Sequence, residues 1–176
     1  MEIKFYERKN PRLKNFNYST CGAYFITICT HNRTCILSRI SDDRSTLYEN
    51  TQPELTEFGK AAEVQLLKLE ERYNCLHIER YVIMPNHIHA IFMIKDINDD
   101  INELAGASPR PTVSDIVCAF KSITTLECRK LGLIGKMFQT SFHDHIIRND
   151  DDYVEIINYI HQNPLRWHLD KFYSSL

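Results

Sequence analysis

The sequence predicts an α+β domain: a ferredoxin-like βαββαβ antiparallel sheet with one additional C-terminal helix. Three observations carry this expectation. Runs rich in β-branched and aromatic residues recur at 23–30, 76–84, 87–94 and 138–147. Two stretches with apolar residues at helical spacing separate the first run from the second and the third from the fourth. A third helical stretch follows the last run and stops at Pro164. Strand, helix, strand, strand, helix, strand is the split βαβ order, which gives a four-stranded antiparallel sheet with two helices on one face.

Each element has its own local reason. The first strand, 23–30, reads Ala-Tyr-Phe-Ile-Thr-Ile-Cys-Thr. The polar segment 40–53, with Asp42, Asp43, Asn50 and Pro53, reads as a loop. The first helix covers 56–72, with Phe58, Ala61, Ala62, Val64, Leu66, Leu67 and Leu69 near helical spacing and Thr56 as its N-cap. Pro85 and Asn86 place a turn or bulge between strands 76–84 and 87–94. A second loop, 96–111, holds Gly106, Pro109 and Pro111. The helix 112–131 carries the stripe Val113, Ile116, Val117, Phe120, Ile123 and Leu126. The last helix, 150–163, is capped by Asn149 or Asp150, with a stripe of Tyr153, Val154, Ile156, Ile157 and Ile160.

Composition narrows the function classes. With 176 residues and 43% hydrophobic content, residues 1–176 form a single domain with a core, not a disordered chain. No apolar run approaches the roughly 18 residues of a membrane span, and the charged start Met-Glu-Ile-Lys is unlike a signal peptide. A cytoplasmic protein with no membrane partner is expected. The six cysteines lack Cys-x-x-Cys spacing and read as reduced thiols. The net charge of -2 does not by itself mark a nucleic-acid binder. Residues 1–20 nevertheless form a basic and aromatic arm, with Lys4, Arg8, Lys9, Arg12 and Lys14 interleaved with Phe5, Tyr6 and Phe16. Such an arm suits a phosphate backbone and unpaired bases, and a solvated tail is the competing reading.

The chemistry-bearing residues fall in three places. His87 and His89 are two apart on a strand, so both imidazoles share a face. They would bind one divalent metal given a third ligand, or serve as hydrogen-bonded core histidines. On the last helix Tyr159 and Asn163 are one turn apart on a flank of the apolar stripe, with Glu155 one turn before. A flank lines a cleft between helix and sheet; a core-edge aromatic is the alternative for Tyr159. His143 and His145 share a face as well, His145 as a donor supporting the site or as packing. His31, His77, His161 and His168 read as structural. Tyr153 falls inside the stripe and reads as packing. Alternation puts Tyr81 on the face of His87 and His89, unless a bulge at Pro85 reverses it.

Met84-Pro-Asn-His-Ile-His89, Phe142-x-Asp-His-Ile-Ile-Arg148 and Tyr159-Ile-x-x-Asn-Pro164 together resemble the single-tyrosine insertion-sequence transposases. The closer resemblance is to the REP-associated tyrosine transposases of the histidine–hydrophobic–histidine nuclease superfamily, over residues 23–169. That resemblance implies a nucleophilic Tyr159 on the additional helix. It implies a Mg²⁺ or Mn²⁺ site at His87, His89 and Asn163, with Gln162 and Glu155 as the next candidates for the third ligand. The implied substrate is single-stranded DNA with a repeat-type hairpin, cleaved through a 5′-phosphotyrosine and rejoined without ATP. A bacterial cytosolic enzyme, monomer or homodimer, follows. The arm and Lys121, Arg129 and Lys130 on the second long helix are the candidate DNA contacts. Two competing classes share the sequence features: a catalytically decayed protein that binds hairpin nucleic acid, and a metal hydrolase that uses water.

Overall fold

Side-chain alternation in one strand sorts the molecule into two faces. The computed structural model describes residues 21–40, 52–95 and 111–169. Strand β1 spans Gly22–Cys29. The two-residue strands β2 (Ser38–Arg39) and β3 (Glu54–Leu55) pair antiparallel, and helix α1 (Glu57–Arg72) follows. Strands β4 (Leu76–Ile83) and β5 (His87–Ile94) form a hairpin. Helix α2 (Val113–Lys130), strand β6 (His143–Ile147) and helix α3 (Asp150–Gln162) complete the order. The sheet runs β4-β5-β1-β6, antiparallel throughout, as the predicted topology requires. No described helix is long and apolar enough to cross a membrane.

Tyr24, Ile26 and Ile28 of β1 and Ile88, Ala90 and Phe92 of β5 face α1 and α2. They pack there on Ala62, Leu66, Ile116, Val117 and Phe120 in the main core. The other face carries α3, whose Ile156 and Ile160 pack on Ile91, with Phe25, Val82 and Met93 around them. Each long helix begins on a side-chain cap, the first and last as the sequence implies. Thr56 Oγ1 accepts from Gly59 N, Thr112 and Asp115 cap α2 reciprocally, and Asn149 Oδ1 accepts from Asp152 N.

Four expectations need adjustment. The loop at 40–53 is flanked by the β2–β3 pair, while 41–51, 96–110 and the arm at 1–20 lie outside the described residues. The last strand starts at His143, not at 138. Phe138 makes only an isolated bridge to Thr30, and the Thr140 carbonyl accepts from Lys121 Nζ (2.8 Å). Val154 and Leu126, each 54% exposed, fall outside their stripes; for Val154, two residues from Ile156 is about 200° around the helix. Tyr81 faces α1, not the histidines. Its cross-strand partner is Ala90, whereas Val82 partners His89, so alternation cannot be counted through the turn between β4 and β5. Tyr81 Oη donates to Glu63 Oε1 at 3.0 Å. Burial, then the Glu63 carboxylate, push its pKa up to about 12.

Gly59 sits in the first turn of α1 where a Cβ would strike the Leu37 carbonyl oxygen. Alanine elsewhere in a helix gains up to about 1 kcal/mol over glycine. Here overpacking costs about 1–3 kcal/mol, so Gly59→Ala is expected to lower the urea midpoint. A raised midpoint would show that the β3–α1 junction yields.

Candidate active site

Strand β5 carries His87 and His89 to the α3 face of the sheet, where both are buried. Their ring centroids are 4.4 Å apart at an interplanar angle of 69°. His89 Nδ1 lies 2.8 Å from Oγ1 of its cross-strand partner Thr27, and its ring stacks on Phe25 at 5.0 Å. His87 Nδ1 lies 2.9 Å from Asn86 Oδ1. Both Nδ1 atoms thus have neighbours within the protein. The two Nε2 atoms and Asn163 Oδ1 are shut off from solvent.

Helix α3 covers this pair from above. The Tyr159 ring meets His89 edge-on at 5.2 Å and Phe25 at 6.0 Å. Asn163 is the buried C-cap residue of α3. Pro164 ends the helix, but the chain turns on: Arg166 N donates to Gln162 O, and Trp167–Leu169 forms a 3₁₀ turn. The Trp167 ring lies 6.0 Å from His87. Tyr159, Asn163 and Trp167 are therefore spaced one turn apart on one side. Tyr159 is against His89, Trp167 is against His87, and Asn163 falls between them. Alongside runs a groove of about 1110 Å³, lined by Tyr159, Asn163, Gln162, Glu155, His145 and Arg166 among others. Tyr159 is 38% exposed, so its ring bridges groove and histidines.

The donor chemistry of this cluster fits a divalent cation. Among the described residues no group of three His, Cys, Asp or Glu side chains is placed to hold a metal. A metal on two imidazoles would need another ligand from an amide such as Asn163 or from substrate oxygens. Two borderline nitrogens and a hard amide oxygen suit Mn²⁺ better than Mg²⁺.

The remaining sequence candidates separate. Glu155 and Gln162 line the groove. His145 is on its rim, where Nε2–H donates to Asp152 in the first turn of α3 (2.9 Å to Oδ2). Tyr153 does more than pack: its hydroxyl donates to Glu79 Oε1 on β4 at 3.1 Å. Lys121, Arg129 and Lys130 are on α2, across the sheet from the histidines; Lys121 is bonded to Thr140 O and Lys130 to Glu127. Lys4, Arg8, Lys9, Arg12 and Lys14 lie outside the described residues. Sequence reading missed Thr27, Asn86, Phe25 and Trp167. Thr27 had a signal, a polar residue inside the apolar run of β1. Trp167 had none, because it follows the proline that ends the helix.

The His145–Asp152 pair joins β6 to α3 and predicts a pH effect. The hydrogen bond from His145, with a further one from Arg148 N, holds the Asp152 carboxyl below its ordinary value. The resulting stabilisation is full above the unfolded carboxyl pKa of about 4 and is lost as pH falls through the lower folded value. Asp152→Asn is expected to flatten the acid limb of a Tm-against-pH curve. An identical acid limb in wild type and variant would remove the pair from the account.

No family model matches the chain. An uncharacterized protein of Haemophilus influenzae is 31% identical over 177 residues, covering 96% of this chain and 94% of that protein. Among solved structures, a REP-associated tyrosine transposase bound to a REP hairpin aligns with a TM-score of 0.60 at 20% identity. That alignment covers 91% of this chain and 77% of the transposase. The chain therefore belongs to one family with the Haemophilus influenzae protein, and its fold is that of a REP-associated tyrosine transposase.

Proposed function

We propose that this protein is a metal-dependent transposase-type enzyme that cleaves and rejoins single-stranded DNA beside a hairpin. One observation carries the reading: Tyr159, which packs on His89 of the buried histidine pair, lines with Asn163 a groove of about 1110 Å³. The shared fold with a transposase solved on a REP hairpin supports the substrate class.

The chemistry follows from the side chains. His87, His89 and Asn163 would hold Mg²⁺ or Mn²⁺, which when bound supplies Lewis-acid charge neutralisation at the scissile phosphate. Tyr159 Oη is the nucleophile; a phenol ordinarily titrates near about 10 and needs that help. Its oxygen bonds to phosphorus, the P–O3′ bond breaks, and the phenolic proton ends on the departing 3′-oxygen. The products are a 5′-phosphotyrosine and a 3′-OH. Because the phosphodiester energy is kept in the new ester, attack by another 3′-OH restores Tyr159 without ATP. Arg166, which lines the groove, would meet the DNA backbone. Lys121, Arg129 and Lys130 are across the sheet, so any contact they make is with DNA that wraps the domain. The bacterial cytosol is the compartment in which such DNA is met, with the protein as monomer or homodimer.

The test is incubation with a 5′- or 3′-labelled hairpin-bearing single strand and Mg²⁺ or Mn²⁺. A protein–DNA adduct resistant to denaturant, mapping to Tyr159, is expected. Tyr159→Phe keeps the ring contacts and should reduce cleavage by at least about 10³-fold, the scale for losing a nucleophile. His87→Ala and His89→Ala should abolish metal-dependent cleavage in folded protein, and Asn163→Ala should weaken Mn²⁺ binding. An adduct on Tyr153 or Tyr81, or full activity in excess chelator, overturns the mechanism. Cleavage that survives Tyr159→Phe identifies the water-using hydrolase. Hairpin binding with no cleavage identifies the decayed binding protein.

A further inference from the structure

We infer that Asn86 is a positioning residue that fixes the tautomer of His87, keeping the proton on Nδ1 and the lone pair on Nε2. The inference rests on the reading of His87 as a metal ligand, and it concerns a residue to which that reading gives no role. The orientation of the Asn86 amide is set by its partners. Nδ2 donates to the Arg33 carbonyl oxygen at 3.2 Å, and a carbonyl only accepts. Oδ1 is therefore the atom 2.9 Å from His87 Nδ1. An amide oxygen also only accepts, so the ring must present Nδ1–H to it. In a neutral imidazole that leaves the lone pair on Nε2, the nitrogen a metal takes.

Both ends of this relay are held. Asn86 is fully buried. Its own carbonyl accepts from Thr30 N at 2.9 Å and from Thr30 Oγ1 at 3.0 Å. The Arg33 carbonyl is presented by a turn in which Asn32 and Arg33 have φ of 53° and 56°. Left-handed backbone at two successive non-glycine residues is costly and persists where surrounding bonds fix it. Thr34 Oγ1 and N both donate to the His31 carbonyl across that turn. The His89 Nδ1 contact is of another kind: it faces the Thr27 hydroxyl, which donates or accepts, so that bond alone does not select a tautomer.

The test uses the metal-free full chain labelled with ¹⁵N-histidine, at a pH well above the imidazole pKa. Long-range ¹H–¹⁵N correlations distinguish the protonated nitrogen from the one with the lone pair. The expected result for His87 is a pyrrole-type Nδ1 and a pyridine-type Nε2. Asn86→Leu, which removes both bonds, should give a mixture of tautomers and weaken Mn²⁺ binding by about 10- to 100-fold. Asn86→Asp keeps an acceptor toward Nδ1 and should restore the wild-type nitrogen pattern. A wild-type His87 protonated on Nε2 overturns the inference whether or not the leucine variant folds. So does an Asn86→Leu protein with unchanged signals and unchanged Mn²⁺ affinity. If wild type shows the expected tautomer but binds no Mn²⁺, the metal reading fails and the Asn86 relay stands.

Discussion

The pairing register of β1 with β5 is the constraint on which the site depends. It sets Thr27 opposite His89 and Cys29 opposite His87, while Ile28 stands opposite Ile88 on the other face. Both faces of these strands are buried, so the register has no cheap alternative. A slip by one residue would turn Ile88, Ala90 and Phe92 out of the main core and drive the imidazoles into it. Loss of that apolar burial would cost several kcal/mol, at about 1.5–3 kcal/mol per large side chain. The hydrophobic alternation of the central strands therefore places the histidines more firmly than any contact the histidines make themselves.

That placement puts polar rings in a dry layer, and the surroundings compensate for it. Thr27 and Asn86 supply hydrogen bonds to the Nδ1 atoms, and Phe25 and Trp167 supply ring faces and edges. Burial of an imidazole disfavours its charged form, and a neutral imidazole is the form that ligates a metal. The same burial shuts the two Nε2 atoms off from solvent, with Tyr159 and Trp167 standing against the two rings.

Much of this was legible in the sequence because it depends on periodicity. Alternation gave the shared face of His87 and His89, and helical spacing gave the shared flank of Tyr159 and Asn163. Thr56 and Asn149 announced their helices by capping chemistry. What was not legible depends on how the chain turns. Tyr81 lies on the opposite face because the β4–β5 turn resets the parity. Phe138 stands apart from the ladder, in an isolated bridge to Thr30. Trp167 reaches His87 because the chain keeps coiling beyond Pro164. Asn86 read as a turn residue, and its side-chain role depends on Arg33, which is 53 residues away in sequence.

The two faces of the sheet also differ in how firmly they are held. The α1/α2 face buries an extensive cluster that includes Tyr24, Phe92, Phe120 and Leu66. On the other face α3 buries only Ile156 and Ile160 deeply, against Ile91. Its further ties include the Tyr159 ring contacts with His89 and Phe25 and two rim bonds, Tyr153 to Glu79 and Asp152 to His145. Exposed bonds of this kind contribute little each, and elements with few buried apolar contacts open at lower free energy than the global fold. The element that carries Tyr159, Asn163 and the approach to Trp167 thus has the smaller apolar contact with the sheet. The histidines beneath it belong to the firmly registered sheet. The buried imidazole pair thus takes its position from the register of the central strands, and Tyr159 and Asn163 take theirs from a helix seated on that sheet through a smaller apolar contact.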